Sequence, residues 1–184
     1  MLCCLACARA RITHEPASGA CFQTMNIKFN FSDSQGKQSG RIHWRFDDQY
    51  SKILFFTPLN QVGLELDAVG EISLLVRLNK KIFWRGDFSY LLDRLWGIDL
   101  TLEELKQLLI KGQIPAVKIK DKGIVVSLET DHKDQSPQIV NIRQNDAALT
   151  LKILKNETRP GKIVLLDYDQ RFQAAELEDV LGDD

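Results

Sequence analysis

The sequence predicts a mainly β fold of the α+β kind, a curved antiparallel sheet that stays unclosed as a barrel and carries a two-helix lid inserted midway. Three observations lead there. Short runs of alternating apolar and polar residues recur from Met25 almost to the end of the chain, with turn residues between them. About eleven such runs follow one another closely, which implies an antiparallel meander, and twist curls that many strands toward a barrel. One interval near the middle switches to helical spacing.

The strands come first. Met25, Ile27, Phe29 and Phe31 share one face, Asn26, Lys28 and Asn30 the other, and Ser32 to Gly36 makes a turn. Ile42, Trp44 and Phe46 alternate with Arg41, His43 and Arg45. Ser51 to Phe56 is more evenly apolar, as a strand covered on both faces would be. Leu64 and Leu66 alternate with Glu65 and Asp67, and Ile72, Leu74 and Val76 follow Gly70.

The period then changes. Phe88, Leu91, Leu92, Leu95 and Trp96 form a helical stripe, with Asp87 as N-cap and Gly97 as terminator. Thr101-Leu102-Glu103-Glu104 resembles a capping box, opening a helix that turns Leu102, Leu105, Leu108 and Leu109 inward until Gly112 and Pro115 stop it. The lid therefore occupies about 87–112, and its leucines have one natural place to go, the open mouth of the sheet. Strands return at Val117 and Ile119, at Ile124 to Leu128 after the Asp121-Lys122-Gly123 turn, and at Ile139 to Arg143 and Leu149 to Leu154. Ile163 to Tyr168 and Arg171 to Val180 complete the expected series.

Composition narrows the function. The 184 residues fit one domain with a short tail, and 44% hydrophobic content supports a real core. A net charge of −1 with interspersed signs lacks the basic stripe of a general nucleic-acid binder. No stretch approaches the ~20 apolar residues of a membrane-spanning helix.

Cys3, Cys4 and Cys7 crowd the N-terminus, Cys21 follows, and no cysteine occurs later, so disulfides do not staple the fold. Leu5-Ala6-Cys7 reads as the end of a bacterial lipoprotein signal with Cys7 as the lipid anchor, although the basic and most of the apolar part of such a signal are missing. The expected division is a signal remnant and linker over 1–24 and the half-barrel over 25–184, with Pro16, Ser18 and Gly19 breaking any period between Arg9 and Phe22. Two other readings of the N-terminus stay open: a zinc or redox site at Cys4-x-x-Cys7, and a passive tail.

Several segments together carry a family resemblance. Gly40 to Phe46 reads GRIHWRF, a strand with a late tryptophan; YSKILFF then runs into a Pro-Leu turn in TPLNQVGLEL. LLDRLWGIDLTLEELKQLLIKGQIP carries paired leucines around a glycine break, and RPGKIVLLDYDQRFQAAELEDV resembles a closing hairpin. In order and spacing these resemble the LolB family of outer-membrane lipoprotein receptors, over about Met25 to Val180. Where the family pattern has glycine after Pro-Leu, this chain has Asn60, which also accepts positive φ. The family's helix before the first strand has no counterpart in Arg9 to Phe22.

The resemblance implies an anchored protein on the periplasmic face of the bacterial outer membrane, monomeric and without cofactor. Its partners would be acylated lipoproteins, a periplasmic LolA-like carrier and outer-membrane lipids. Sheet and lid would enclose an acyl-chain cavity lined by Ile42, Trp44, Phe46, Ile53, Phe55, Leu64 and Leu66 on the strands and Leu92, Leu95, Trp96, Leu105 and Leu109 on the lid. Each buried CH₂ is worth ~0.8 kcal/mol, so extracting acyl chains needs an equally apolar acceptor and no catalytic group. Alternation alone does not tell such a hollow barrel from a filled one. Pro58, Leu59 and Asn60 would form a membrane-insertion loop with Leu59 at its tip; the alternative is that Leu59 folds back onto Phe55 or Phe56. Further alternatives are a LolA-like carrier without membrane delivery and a structural envelope lipoprotein with a filled barrel.

Enzyme signatures are missing. His14, His43 and His132 stand apart with no metalloprotease or nucleophile-elbow motif beside them, and no metal site is expected from them. Asp47-Asp48 and Asp131-His132-Lys133-Asp134 fall where solvated turns are expected.

Overall fold

The computed structural model describes residues 20–113, 121–130, 136–165 and 172–182. Alternation becomes strand pairing through β1 (Cys21–Ser32), β2 (Lys37–Phe46), β3 (Tyr50–Phe56), β4 (Val62–Val69), β5 (Ile72–Arg77) and β6 (Ile82–Asp87). The helices α1 (Phe88–Trp96) and α2 (Leu102–Lys111) follow. The sheet resumes with β7 (Ile124–Thr130), β8 (Pro137–Gln144) and β9 (Ala147–Pro160), and the chain continues to β10 (Gln173–Ala174) and α3 (Leu177–Leu181).

Ten strands form one sheet in the order β10-β6-β5-β4-β3-β2-β1-β9-β8-β7, antiparallel throughout except where β10 joins β6. The two ends, β10 and β7, are not paired with each other, so the barrel is unclosed. Consecutive strands pair as a meander within β1–β6 and within β7–β9, and the chain jumps twice: from β6 through the two helices to β7, so that β9 returns beside β1 in the most extended ladder, Cys21–Ser32 against Ala148–Pro160, and from β9 to β10 beside β6. Beyond β9 the chain crosses the outer face, where Lys52 Nζ donates to the Val164 carbonyl at 2.9 Å.

The concave face holds the core. Met25 and Ile27 of β1, Trp44 of β2, Ile53 of β3, Leu66 of β4 and Leu75 of β5 are all buried; their chain neighbours face the other side, where most are more exposed but several, Glu65, Asp67 and Val76 among them, are buried as well. The outer face carries charge, including a sunken cluster in which Lys52 Nζ lies 2.6 Å from Glu65 and 3.6 Å from Asp67.

Both lid helices begin and end as their sequences require. Asp87 is the N-cap of α1 through its extended backbone, without a side-chain hydrogen bond. Thr101 and Glu104 form the complete capping box of α2, at 3.2 and 2.9 Å. Gly97 and Gly112 take left-handed conformations at the two C-termini.

Four expectations about elements change. The first strand begins at Cys21 rather than Met25, because Cys21 and Phe22 continue the ladder with β9 instead of serving as linker. Strand β6, Ile-Phe-Trp-Arg-Gly-Asp, is not among the expected strands: its alternation is interrupted by Gly86, which lies beneath the Trp84 ring. Residues 163–165 carry no strand, and 166–168 lie outside the described residues, as do Val117 and Ile119. Arg171 to Val180 is not one strand, since only Gln173–Ala174 pairs and a short helix follows. Ala, Leu and Glu favour a helix there, and Leu177 and Val180 bury themselves at helical spacing. The expected closing hairpin is therefore not formed by the described residues.

Candidate lipid-binding site

The apolar stripes of α1 and α2 meet the concave sheet over its middle rows. Ile27, Ile42 and Phe55 stand in one cross-strand row, and Trp44, Ile53 and Leu66 in the next inward row. From the lid, Phe88, Leu91, Leu92, Leu95, Trp96, Leu105 and Leu109 close over them, and Leu151 of β9 completes the wall. The lining is wholly apolar. Trp96 packs on Phe29 with ring centroids 5.3 Å apart and on Phe55 at 6.3 Å, so one lid residue touches two strands.

The space left inside is small, about 20 Å³, room for roughly one water molecule. Pockets that hold ligands of drug size run to about 300–1,000 Å³. In this closed form the lid leucines themselves fill the place between sheet and helices.

Of the twelve residues expected to line an acyl-chain cavity, ten border this small apolar space: Ile42, Trp44, Ile53, Phe55, Leu66, Leu92, Leu95, Trp96, Leu105 and Leu109. Phe46 and Leu64 do not. Phe46 is buried one repeat beyond Trp44, beneath the Lys106 ammonium at 5.8 Å, and lines a separate cleft of about 530 Å³, of mixed polar and apolar lining, on the other side of α2. Leu64 packs against the core near the opposite end of its strand. Alternation places both on the proper face, but the lid covers only the middle of the strands. Ile27, Phe88, Leu91 and Leu151 line the space as well and carry the same periodic signal.

The loop after β3 is built by local chemistry. The Thr57 carbonyl accepts a hydrogen bond from the Asn60 N–H at 2.9 Å, and the Thr57 N–H donates to the Gln61 carbonyl at 2.8 Å. Pro58 suits the second position of this turn, and Asn60 takes φ 61° as only glycine and asparagine readily do. Leu59 is thereby held outward at 82% exposure, so it does not fold back onto Phe55 or Phe56. Cys7, Cys4, His14 and His132 lie outside the described residues, as does the turn Asp131 to Asp134.

His43 sits on the outer face, half-buried, in a fixed tautomer: Nδ1–H donates to Asn26 Oδ1 at 2.6 Å, and Nε2 accepts from Arg45 Nε at 3.0 Å and from Thr24 Oγ1 at 3.3 Å. Burial, then the charges of Arg45 and Arg159, lower its pKa. Asp47 works as a turn residue, its carboxylate accepting from the N–H groups of Gln49 and Tyr50. Among the described residues no cluster of His, Cys, Asp and Glu could hold a metal ion, and Cys21 is exposed and in no disulfide. No described helix is long and apolar enough to cross a membrane.

A family model described as outer membrane lipoprotein LolB matches residues 23–155. That span runs from β1 into β9 and takes in both lid helices and the Leu59 loop. Among solved structures, a LolA superfamily protein from Nitrosomonas europaea superposes with a TM-score of 0.51 at 9% identity, covering 77% of this chain and 87% of that one. At that identity the likeness is one of fold, an open sheet with helices. No curated protein matches the sequence.

Proposed function

The chain belongs to the LolB family of outer membrane lipoproteins, and from that premise we propose that it receives acylated lipoproteins and delivers them to the inner leaflet of the outer membrane. The observation that carries this reading is the wholly apolar space under the lid, whose walls are the tryptophan, phenylalanine and leucine side chains that an acyl chain would exchange for water. A cavity of about 20 Å³ admits no acyl chain, so reception requires α1 and α2 to move off the sheet. The exchange keeps the chain shielded throughout: each CH₂ kept from water is worth ~0.8 kcal/mol, so the acceptor must be as apolar as the donor, and packing of the lid on the sheet gives way to packing of both on the acyl chain.

Delivery falls to the Leu59 loop. A leucine held at the apex of a rigid turn costs little in folding and can enter the acyl region of a leaflet. Cys7, as lipid anchor, would keep the domain on the periplasmic face, and a soluble LolA-like carrier would supply the cargo. Nothing in this scheme requires bond-making chemistry.

The experiment is a transfer assay with a carrier-bound lipoprotein, the full chain bearing Cys7→Ser, and outer-membrane vesicles. The wild-type loop should accept the lipoprotein and pass it on, while Leu59→Glu should accept it and retain it. Failure of both forms to accept lipoprotein would remove the receptor reading. The small cavity favours a second reading, a structural envelope lipoprotein whose barrel stays filled, and that outcome would support it.

A further inference from the structure

The outer face of the sheet holds an arrangement that neither the cavity nor the loop explains. Lys28 of β1 stands directly opposite Lys152 on one side and Arg41 on the other. All three are exposed, and no ion pair or hydrogen bond among the described residues engages their side chains. Like charges facing each other across neighbouring strands destabilise a sheet, so this row of three is a cost that folding alone does not justify. Nearby on the same face, Glu157 is already held by Lys155 at 2.7 Å and by Arg159 at 3.0 Å and offers the row no relief.

Position gives the row its meaning. Arg41 is paired with Phe56, the last residue of β3, and Leu59 lies three residues further on. At no more than about 3.6 Å per residue, the leucine tip is within about 11 Å of Phe56, and Arg41 is one strand spacing, about 5 Å, to its side. A bilayer carries its headgroups in a layer of roughly 5–8 Å outside each face of the hydrocarbon. With Leu59 at the acyl boundary, the long stems of Lys28, Arg41 and Lys152 span the remaining distance to the phosphates. Two carboxylates stand at neighbouring tips and are engaged by backbone donors there. Asp33 accepts from the N–H groups of Gln35 and Gly36, and Asp146 accepts from that of Ser34.

We infer that Lys28, Arg41 and Lys152 form a contact for anionic phospholipid headgroups that orients the domain while Leu59 enters the leaflet. This inference rests on the proposed role of Leu59 as the membrane-entering residue. The row supplies what a single leucine cannot, a preferred rotation of the sheet about the tip.

The test is flotation of the full chain, carrying Cys7→Ser throughout so that no acyl anchor masks the surface. Vesicles of phosphatidylcholine alone are compared with vesicles in which phosphatidylglycerol makes up about a third, following the rule that each Lys or Arg near an anionic leaflet strengthens binding about fivefold. The combined variant Lys28→Gln, Arg41→Gln, Lys152→Gln should bind the anionic vesicles about a hundredfold more weakly than wild type and neutral vesicles equally well. The difference should close at high salt. Leu59→Gln, which removes the apolar tip without adding charge, should weaken binding to both compositions and leave their ratio intact. The triple variant should melt no lower than wild type, since it relieves repulsion.

Unchanged affinity of the triple variant for anionic vesicles would overturn the inference. So would an equal loss on neutral vesicles, or a triple variant that binds vesicles normally but no longer takes lipoprotein from the carrier, which would assign the row to a protein partner. Binding of a soluble acylated peptide reads the receptor proposal separately, and its absence in wild type would count against that proposal alone.

Discussion

The imidazole of His43 is engaged on both nitrogens, and its neutral form is the one that Asn26, Thr24 and Arg45 accept. Its pKa is lowered from the ordinary 6.5 by burial and by Arg45 and Arg159. The unfolded chain therefore binds a proton that the folded chain refuses. Stability is full above about pH 6.5 and falls as pH drops below it toward the lower folded value. Urea denaturation between pH 7.5 and pH 5 should show that loss in wild type and a flatter profile in His43→Gln. Glu157 and Glu178 also have lowered values, from an ordinary 4.5, but they lose their contribution only at more acidic pH and stay out of this window. Leu59 is the contrasting residue. Its exposure means that Leu59→Glu should change stability by no more than about 0.5 kcal/mol, so any loss of membrane delivery in that variant reports function.

A polar network fastens the lid at the bend between its two helices. Asp99 donates its N–H to Gln144 Oε1 at 2.7 Å, and Lys122 Nζ reaches both the Asp99 carbonyl at 3.0 Å and its carboxylate at 3.1 Å. Gln144 in turn donates to the Lys122 carbonyl, so bend, turn and strand end form one network. Lys122→Ala should leave the sheet intact while amide hydrogen exchange across 88–111 speeds up; unchanged exchange there would show that apolar packing alone holds the lid. Thr101→Ala removes one half of the capping box and should cost about 1 kcal/mol, read as a lower melting temperature. Both helices are legible in the sequence down to their caps, because Asp87, Gly97, Thr101 and Gly112 act locally. Strand β6 is not, since Gly86 is tolerated under the Trp84 ring only once a strand has formed. In the C-terminal segment alternation suggests a strand, yet helix propensity prevails, and α3 forms where it can bury Leu177 and Val180.

For the whole molecule, the unclosed sheet and its lid follow from periodicity, and most of the apolar lining follows from the same pattern. The extent of the space does not. Its size depends on how α1 and α2 settle onto Trp44, Ile53 and Leu66, a tertiary distance that no local pattern encodes. The sunken Lys52, Glu65 and Asp67 cluster is equally illegible, because it forms only when β3 and β4 pair and the segment after β9 crosses them. The central claim is that acyl chains enter between sheet and lid. The chain has three tryptophans, of which Trp44 and Trp96 line that space and Trp84 does not. Fluorescence quenching by a lipopeptide with brominated acyl chains tests the claim most directly. Wild type should be quenched at saturation, and the double variant Trp44→Phe, Trp96→Phe, emitting from Trp84 alone, should still bind but show almost no quenching. Equal quenching of the two proteins, or none in wild type at saturating lipopeptide, would contradict it.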